Sequence, residues 1–179
     1  MSNSKVVTPY GGDQNEKKNE VASMFNNIAG NYDFLNHFLS MGIDKLWRKK
    51  VVKMVANVHA KNVLDVATGT GDLAIALLKA KPDKITGIDI SVGMLEKGNE
   101  KIKQLKVDNI IELEKGDSEN IQFNDATFDA ITVAFGVRNY QNLDKGLSEM
   151  FRVLKPNSPL IVLEFSKPKQ TAFKGLYKL

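Results

Sequence analysis

The sequence contains no cysteine, which excludes disulfide bonds, thiolate metal sites and cysteine nucleophiles. It also lacks any apolar run of the roughly 18 residues that a bilayer-spanning helix requires. The N-terminus has no apolar core of the kind that a signal peptide carries. We therefore expect a cytoplasmic protein, and the sequence suggests no metal site.

Basic residues outnumber acidic residues only slightly. The chain has 25 basic and 21 acidic residues, a formal net charge of +4 that is spread along its length. Such a charge permits contact with anionic lipid or nucleic acid but argues for neither. The 179 residues, with 42% hydrophobic and 26% charged, suit one globular domain with a substantial core.

The most informative stretch is residues 62–74, NVLDVATGTGDLA. An apolar run ends in an acid, passes through small residues and opens into helix-forming sequence, which predicts a strand, a tight turn and a helix. Gly69 and Gly71 allow backbone conformations that a side chain would forbid and leave room for a ligand. Asp89 ends a second apolar run twenty residues after Gly69, where an acid can bind a ribose. This pattern indicates a nucleoside-binding site.

The chain divides into three parts. Residues 1–19 are polar and predict a flexible arm. Residues 20–60 predict a helical cap, which either packs on the core or forms a lid over an apolar substrate pocket; both can hold at once. From residue 61 to 179, apolar strands alternate with helices. We expect strands at 63–66, 85–89, 110–114, 128–135 and 160–165, and helices at 72–80, 92–106 and 143–154.

This alternation predicts an α/β fold with a mostly parallel sheet and helices on both faces. Ligands of such sheets bind beyond the carboxyl ends of the strands. Four segments should meet there, namely residues 65–72, 89–90, 117–118 and 134–139. We expect them to form one crevice.

The acids of the glycine loop bear on which nucleoside binds. Gly69, Gly71 and Ala74 formally satisfy the dinucleotide fingerprint, so NAD must be considered. Asp65 and Asp72 would repel its pyrophosphate. They would attract the ammonium and sulfonium groups of S-adenosylmethionine, whose ribose diol suits Asp89.

Structural roles remain open for three of the acids. Asp65 could cap its own loop, and Asp72 could be an ordinary acid of a first helical turn. Asp117 could form a turn after Gly116 or pair with an adenine edge.

Several motifs resemble the demethylmenaquinone methyltransferase family, whose relatives act in ubiquinone synthesis. The glycine loop, with GIDISVGML, marks class I methyltransferases in general. FDAITVAFGVRN and MFRVLKPNSPLIVLEFSKP are more specific, and residues 24–36 with Trp47-Arg48 look like the family's N-terminal signature. The resemblance covers about residues 20–179 and implies a Rossmann-like class I methyltransferase fold.

The resemblance implies transfer of a methyl group from S-adenosylmethionine to a ring carbon of a prenylated quinol in menaquinone biosynthesis. Carried over by position, it assigns cofactor contacts to Thr70, Asp89, Asp117 and Ser118. The glycine loop and the strand ends add further candidates for cofactor binding: Asp65, Gly69, Gly71, Ile90 and Ala134. The resemblance suggests catalytic roles for Arg138 and Asn139, although Arg138 could instead form a structural ion pair. Tyr32 and Asp33 become candidates for substrate contact. The sequence identifies no general base, since a lone His37 among apolar residues is usually packed.

The sequence departs from the family pattern at three places. Asp117-Ser118 replaces an Asn-Ala pair, and Ala134 replaces a serine found in some relatives. The chain also ends at Leu179, before the last two strands of a seven-stranded sheet, so we expect missing C-terminal strands and an unpaired, aggregation-prone edge.

Two other functions remain open. One is S-adenosylmethionine-dependent methylation of a different small molecule, and the other is a non-catalytic module that binds the same cofactor. The dispersed charge disfavours a nucleic-acid partner. The sequence leaves open the quinone type, peripheral contact with the inner face of the membrane, and the oligomeric state, a homodimer included.

Overall fold

The computed structural model describes residue 9 and residues 17–30, 32–33 and 43–165. Among the described residues, helices α1 (Lys17–Ile28) and α2 (Ile43–Asn57) precede the sheet. The remaining elements follow in this order: β1 (Asn62–Val66), α3 (Asp72–Leu77), β2 (Lys84–Asp89), α4 (Val92–Leu105), β3 (Ile111–Lys115), β4 (Ala130–Ala134), α5 (Leu143–Val153) and β5 (Leu160–Leu163). Short 3₁₀ turns lie at Leu78–Ala80 and Val137–Asn139.

The five strands form one parallel sheet in the order β3-β2-β1-β4-β5. The chain first adds strands on one side of β1 and then crosses to the other side with β4. The switch point therefore lies between β1 and β4, where Asp65 is in register with Thr132. Ligand crevices of open α/β sheets form at this position.

Helices cover both faces of the sheet, as predicted. On one face, Val55 of α2, Leu77 of α3 and Ile102 of α4 belong to one buried cluster with the strands. On the other face, Met150 and Val153 of α5 pack in a second cluster. Successive residues of β1 join opposite clusters, because side chains of a strand alternate between faces. The predicted α/β fold is thus confirmed.

Element boundaries differ from the expected ones where the backbone turns. The strand expected at 128–135 is limited to β4, because Phe135 takes a φ of 58° and cannot continue an extended strand. The helix expected at 72–80 tightens into the 3₁₀ turn after Leu77. Helix α1 begins at Lys17, three residues before the expected start of the cap.

Helix α1 is tied to loops at the carboxyl ends of two strands. The Asn26 side chain accepts hydrogen bonds from Ser91 Oγ and Gly93 N at the start of α4, at 2.7 and 3.0 Å. Near the other end of the helix, Lys17 Nζ donates to the carbonyl oxygen of Tyr140 at 2.7 Å. These contacts place α1 beside the edge of the sheet where the expected crevice opens.

Some expectations fall outside the described residues. They concern most of the N-terminal arm, the segment 34–42 with its lone histidine, and everything after residue 165, where the incomplete sheet was expected. Within the described part of the chain, no helix is both long and apolar enough to cross a membrane. The same residues hold no group of three or more acidic or histidine side chains that could share a metal ion.

Candidate functional site

The loop between β1 and α3 owes its shape to backbone conformations of positive φ. Gly69 and Gly71 have φ values of 58° and 77°, as their predicted role requires, and Ala67 also has a φ of 54°. The amide of Thr68 donates to the carbonyl of Ile88 on β2 at 3.0 Å, which fixes the loop to the neighbouring strand. A non-glycine residue in this conformation is uncommon, and such residues cluster at ligand-binding sites.

Asp89 is held rigidly at the end of β2. Its Oδ2 accepts a hydrogen bond from the amide of Gly69 and its Oδ1 accepts one from the amide of Ser91, both at 2.8 Å. Burial raises the pKa of the carboxyl group, and these backbone hydrogen bonds act against that rise. Each carboxylate oxygen can accept a further hydrogen bond. A fixed carboxylate of this kind could bind the two hydroxyl groups of a ribose.

A crevice of about 650 Å³ opens beside Asp89. Its walls include predicted residues from all four segments that were expected to converge. These are Gly69, Asp89, Ile90, Asp117, Ser118, Ala134 and Asn139, with Tyr32 from the cap. Val21 and Phe25 of α1 add an apolar side that the sequence did not assign. The crevice mixes apolar walls with a few polar groups, as small-molecule sites in proteins do.

A small ion cluster stands at one end of this crevice. Lys18 Nζ of α1 lies 2.7 Å from Asp117 Oδ2 and 3.2 Å from Glu119 Oε2. Asp117 also accepts from the amide of Glu119, which is the turn geometry that the sequence left open. Glu119 in turn accepts from the amides of Gln141 and Asn142. Sequence reasoning missed both Lys18 and Glu119, which join the cap to the rim of the crevice.

A second pocket, of about 420 Å³, adjoins the first. The two have five lining residues in common, namely Tyr32, Ala67, Gly69, Ala134 and Phe135. The second pocket is lined in addition by Arg48, Asp65, Thr68, Thr70, Asp72 and Leu73. The site therefore consists of two connected compartments on either side of the glycine loop.

Asp65 is buried at the floor of the second pocket, with 1% of its surface exposed. Its two oxygens accept hydrogen bonds from Thr68 Oγ1 at 2.7 Å and Thr132 Oγ1 at 2.6 Å. Burial raises the pKa of this carboxyl group to about 6, although the two hydroxyl donors act in the opposite direction. Asp65 thus both braces its own loop and contributes an acid to the pocket wall.

Asp72 lies among cations, which a sequence spacing could not reveal. Arg48 Nη1 is 3.2 Å from Asp72 Oδ2, and Lys101 Nζ is 2.7 Å from Asp72 Oδ1. Lys101 also pairs with Asp33 at 2.8 Å, and Asp33 accepts a hydrogen bond from Thr70 Oγ1. These cations partly compensate the negative charge of Asp72. Asp72 would therefore repel a pyrophosphate less strongly than we expected from the sequence.

Some of the candidate substrate and catalytic residues line the pockets, whereas others make contacts within the protein. Tyr32 lines both pockets, whereas Asp33 joins the cap to the glycine loop. Asn139 lines the larger crevice, but Arg138 lines neither pocket. The Arg138 guanidinium lies 3.2 Å from Glu164 Oε1, which is the ion pair that the sequence left as an alternative. The assigned roles of these four residues stay predictions.

An aromatic cluster flanks the junction of the two pockets. The rings of Phe135 and Phe165 stack with centroids 4.7 Å apart, and Trp47 meets Phe165 edge-on at 5.5 Å. Arg138 lies over the Phe165 ring, 5.4 Å from its centroid. Phe135 holds its place in a left-handed backbone conformation that is strained for an aromatic residue. No sequence pattern around Phe135 predicted this backbone strain.

Arg48 is the most prominent residue of the site without a predicted role. One signal for it does exist in the sequence, because Asp44 and Arg48 have the i,i+4 spacing of an ion pair on one helix. Spacing alone does not show that the pair faces a ligand pocket rather than solvent.

The fold and the glycine loop define the class first. A putative S-adenosyl-L-methionine-dependent methyltransferase from Methanococcus maripaludis superposes with a TM-score of 0.69, at 24% identity, over 76% of this chain and 62% of that chain. A SAM-dependent methyltransferase from Aquifex aeolicus superposes with a TM-score of 0.60, at 29% identity, over 69% of this chain and 66% of that chain. The architecture is the Rossmann-like fold of class I methyltransferases, as predicted.

The family follows from sequence comparison. Residues 13–179 match the ubiE/COQ5 methyltransferase family, and the chain belongs to it. The demethylmenaquinone methyltransferase of Porphyromonas gingivalis is 45% identical over 99% of this chain and 73% of its own length. The ubiquinone/menaquinone biosynthesis C-methyltransferase UbiE of Geotalea daltonii is 44% identical over 90% of this chain and 70% of its own length. The predicted family and enzyme class are confirmed.

Proposed function

We propose that this enzyme transfers a methyl group from S-adenosylmethionine to a ring carbon of a prenylated quinol, converting demethylmenaquinol to menaquinol. The observation that carries the proposal is the pair of connected pockets beside the fixed Asp89 carboxylate. Relatives that are 44–45% identical over most of the chain bear the names of enzymes of menaquinone and ubiquinone biosynthesis.

The residues present suit S-adenosylmethionine by their chemistry. Asp89 offers two acceptor oxygens to a ribose diol, and the same crevice is lined by Asp117 and Ser118, which can pair with an adenine. On the other side of Gly69, the second pocket provides acids for an ammonium group. This division matches a ligand with a nucleoside at one end and an amino acid at the other. When bound, the cofactor supplies an electrophilic methyl group on a sulfonium.

The aromatic cluster gives the acceptor ring its most suitable place. A planar quinol can stack on exposed aromatic surface, and Phe165 is 49% exposed beside Phe135, which lines both pockets. Arg138, over the Phe165 ring, would favour the ionised oxygen of such a quinol through its positive charge. An ionised quinol oxygen directs electron density to the adjacent ring carbon, which makes that carbon the nucleophile.

The remaining work of the protein is to orient the two reactants and exclude water. Helix α1 contributes to both, since Lys17 binds the carbonyl of Tyr140 and Lys18 lines the crevice and pairs with Asp117. Asn139 lines the crevice next to Ala134 and can hydrogen-bond a substrate oxygen.

We further propose that the enzyme meets its lipid-tailed substrate at the inner face of the membrane. The outward side of α2 exposes Ile43, Leu46 and Met54, and Val58 follows directly after the helix; these four apolar residues expose 43–57% of their surface. Four exposed lysines share this helix: Lys45, Lys49, Lys50 and Lys53. Apolar and basic residues on one surface helix favour contact with an anionic lipid surface.

A pair of variants tests the role of Arg138. Arg138→Ala removes the positive charge, whereas Glu164→Gln removes its ion-pair partner and leaves the guanidinium in place. We expect methyl transfer to demethylmenaquinol to fall on the order of 100-fold in Arg138→Ala, because a charge that stabilises the reacting oxygen is lost. Glu164→Gln should retain most of the activity.

Turnover and binding should be measured on the same samples. Equal turnover in wild type and Arg138→Ala, or equal losses in the two variants, would show that Arg138 serves only as an ion-pair partner. Calorimetry of the wild type should show tighter binding of S-adenosylmethionine than of NAD. The reverse order would remove the proposed function altogether.

A further inference from the structure

The second pocket is lined by a cationic side chain, that of Arg48, for which the sequence predicted no role. The Arg48 side chain is 12% exposed and lines this pocket together with Asp65 and Asp72. Its Nη1 lies 2.9 Å from Asp44 Oδ2 and 3.2 Å from Asp72 Oδ2. Burying a guanidinium carries a desolvation cost, so its presence beside a ligand pocket calls for a role.

Asp44, on the same helix as Arg48, holds this guanidinium in place. The Asp44 side chain is 3% exposed and lies one helical turn before Arg48 on α2. A guanidinium carries five N–H donors in a planar fork that matches a carboxylate. In each ion pair the shortest contact is made by Nη1, and a guanidinium also carries N–H donors on Nε and Nη2. The side chain is thus fixed and can still bind a further anion.

We propose that Arg48 binds the α-carboxylate of the methionine moiety of S-adenosylmethionine, while Asp65 and Asp72 face its ammonium group. This proposal rests on the proposed function, because it concerns the same ligand. Gly69 and Ala67 line both pockets, so a ligand whose ribose is on Asp89 reaches the second pocket along the glycine loop. That pocket combines one guanidinium with two carboxyl groups, which complements a zwitterionic α-amino acid.

The pocket should therefore distinguish two ligands that differ only in the presence of this carboxylate. Decarboxylated S-adenosylmethionine keeps the nucleoside, the sulfonium and the amine but lacks the group that Arg48 would bind. A charge-assisted hydrogen bond to a carboxylate accounts for roughly 10- to 100-fold in affinity. We expect the wild type to bind S-adenosylmethionine more tightly than the decarboxylated form by about that factor.

The experiment is calorimetric titration of both ligands into wild type, Arg48→Met and Lys49→Met. Lys49 is the matched control, since it is exposed on the same helix and carries the same charge. In Arg48→Met we expect S-adenosylmethionine to lose roughly 10- to 100-fold in affinity. The decarboxylated ligand should bind as before or more tightly, because the acids of the pocket lose a competing cation. Lys49→Met should behave as the wild type.

A second variant separates loss of ligand binding from loss of folding. Arg48→Met leaves Asp44 buried without its partner, whereas Asp44→Asn combined with Arg48→Met removes both charges and should show the same ligand selectivity. If either folded variant keeps the preference for S-adenosylmethionine, or loses affinity equally for both ligands, the assignment is wrong. Equal binding of the two ligands by the wild type also overturns it and leaves the proposed function intact. Wild-type protein that binds neither ligand contradicts the proposed function itself.

Discussion

The buried carboxyl group of Asp65 gives a prediction that depends on its environment alone. Asp65 is 1% exposed, and its burial raises the pKa to about 6 from an ordinary value of 3.8. The folded state therefore binds a proton that the unfolded state releases between pH 4 and 6. Stability contributed by this proton is present at low pH and is lost as pH rises toward 6. Substitution Asp65→Asn should remove the effect.

The size of the effect follows from the two pKa values. A difference of about two units corresponds to about 3 kcal/mol at pH values well above 6, with the ionised group destabilising the fold. Between pH 5 and pH 8 the contribution of Asp65 amounts to about 1 kcal/mol. Asparagine can still accept one of the hydrogen bonds from Thr68 and Thr132. The stability of Asp65→Asn relative to wild type should therefore increase by about 1 kcal/mol over this range.

The assay is urea unfolding of the ligand-free protein at pH 5, 6, 7 and 8, with wild type and variant compared at each pH. Asp129→Asn is the control, because Asp129 is an acid at the amino end of β4, away from the site. Burial acts to raise the pKa of Asp129, but hydrogen bonds from Lys155 and from the amides of Asn62 and Lys61 hold that pKa below its usual value. Its charge stabilises the fold above pH 4, so Asp129→Asn should be destabilising by a constant amount. A flat or falling difference for Asp65→Asn would refute the reasoning.

Two further predictions concern packing and membrane contact. A methyl group on Gly98 would lie 2.5 Å from Leu113 Cδ1 and 3.1 Å from the backbone of Thr70, whereas at Gly30 it would meet nothing within 4 Å. Gly98→Ala should therefore cost about 1–3 kcal/mol in urea unfolding and Gly30→Ala almost nothing; equal costs would contradict the packing argument. In sedimentation with anionic vesicles, Leu46→Ser combined with Met54→Ser should bind less than wild type, and unchanged binding would exclude α2 as the contact.

Local patterns were enough to predict the fold and several of the residues that line the candidate site. The alternation of apolar runs with helical segments predicted every strand of the described sheet, because buried parallel strands and their crossover helices leave strong periodic signals. Asp89 was identifiable as a candidate because it lies at the end of β2, twenty residues after Gly69, whose amide it binds. Such relations between neighbouring elements are encoded in short stretches of sequence.

The partners of Asp72 could not be predicted in the same way. Arg48 lies on a helix before the sheet and Lys101 on α4, so only the tertiary fold brings these cations to Asp72. The left-handed conformation of Phe135 is likewise set by packing, since nothing in its sequence neighbourhood requires it. Tertiary contacts of this kind decide how much charge the pocket presents to a ligand, and sequence spacing does not record them.

The central claim is tested most directly by following the methyl group itself. The protein should be incubated with S-adenosylmethionine that carries an isotopically labelled methyl group and with chemically reduced demethylmenaquinone, and the quinone should then be analysed by mass spectrometry. We predict that the label appears on the ring carbon, in amounts that depend on enzyme and on time. Protein that binds S-adenosylmethionine but leaves the quinone unlabelled, or labels an oxygen of the ring, would contradict this account.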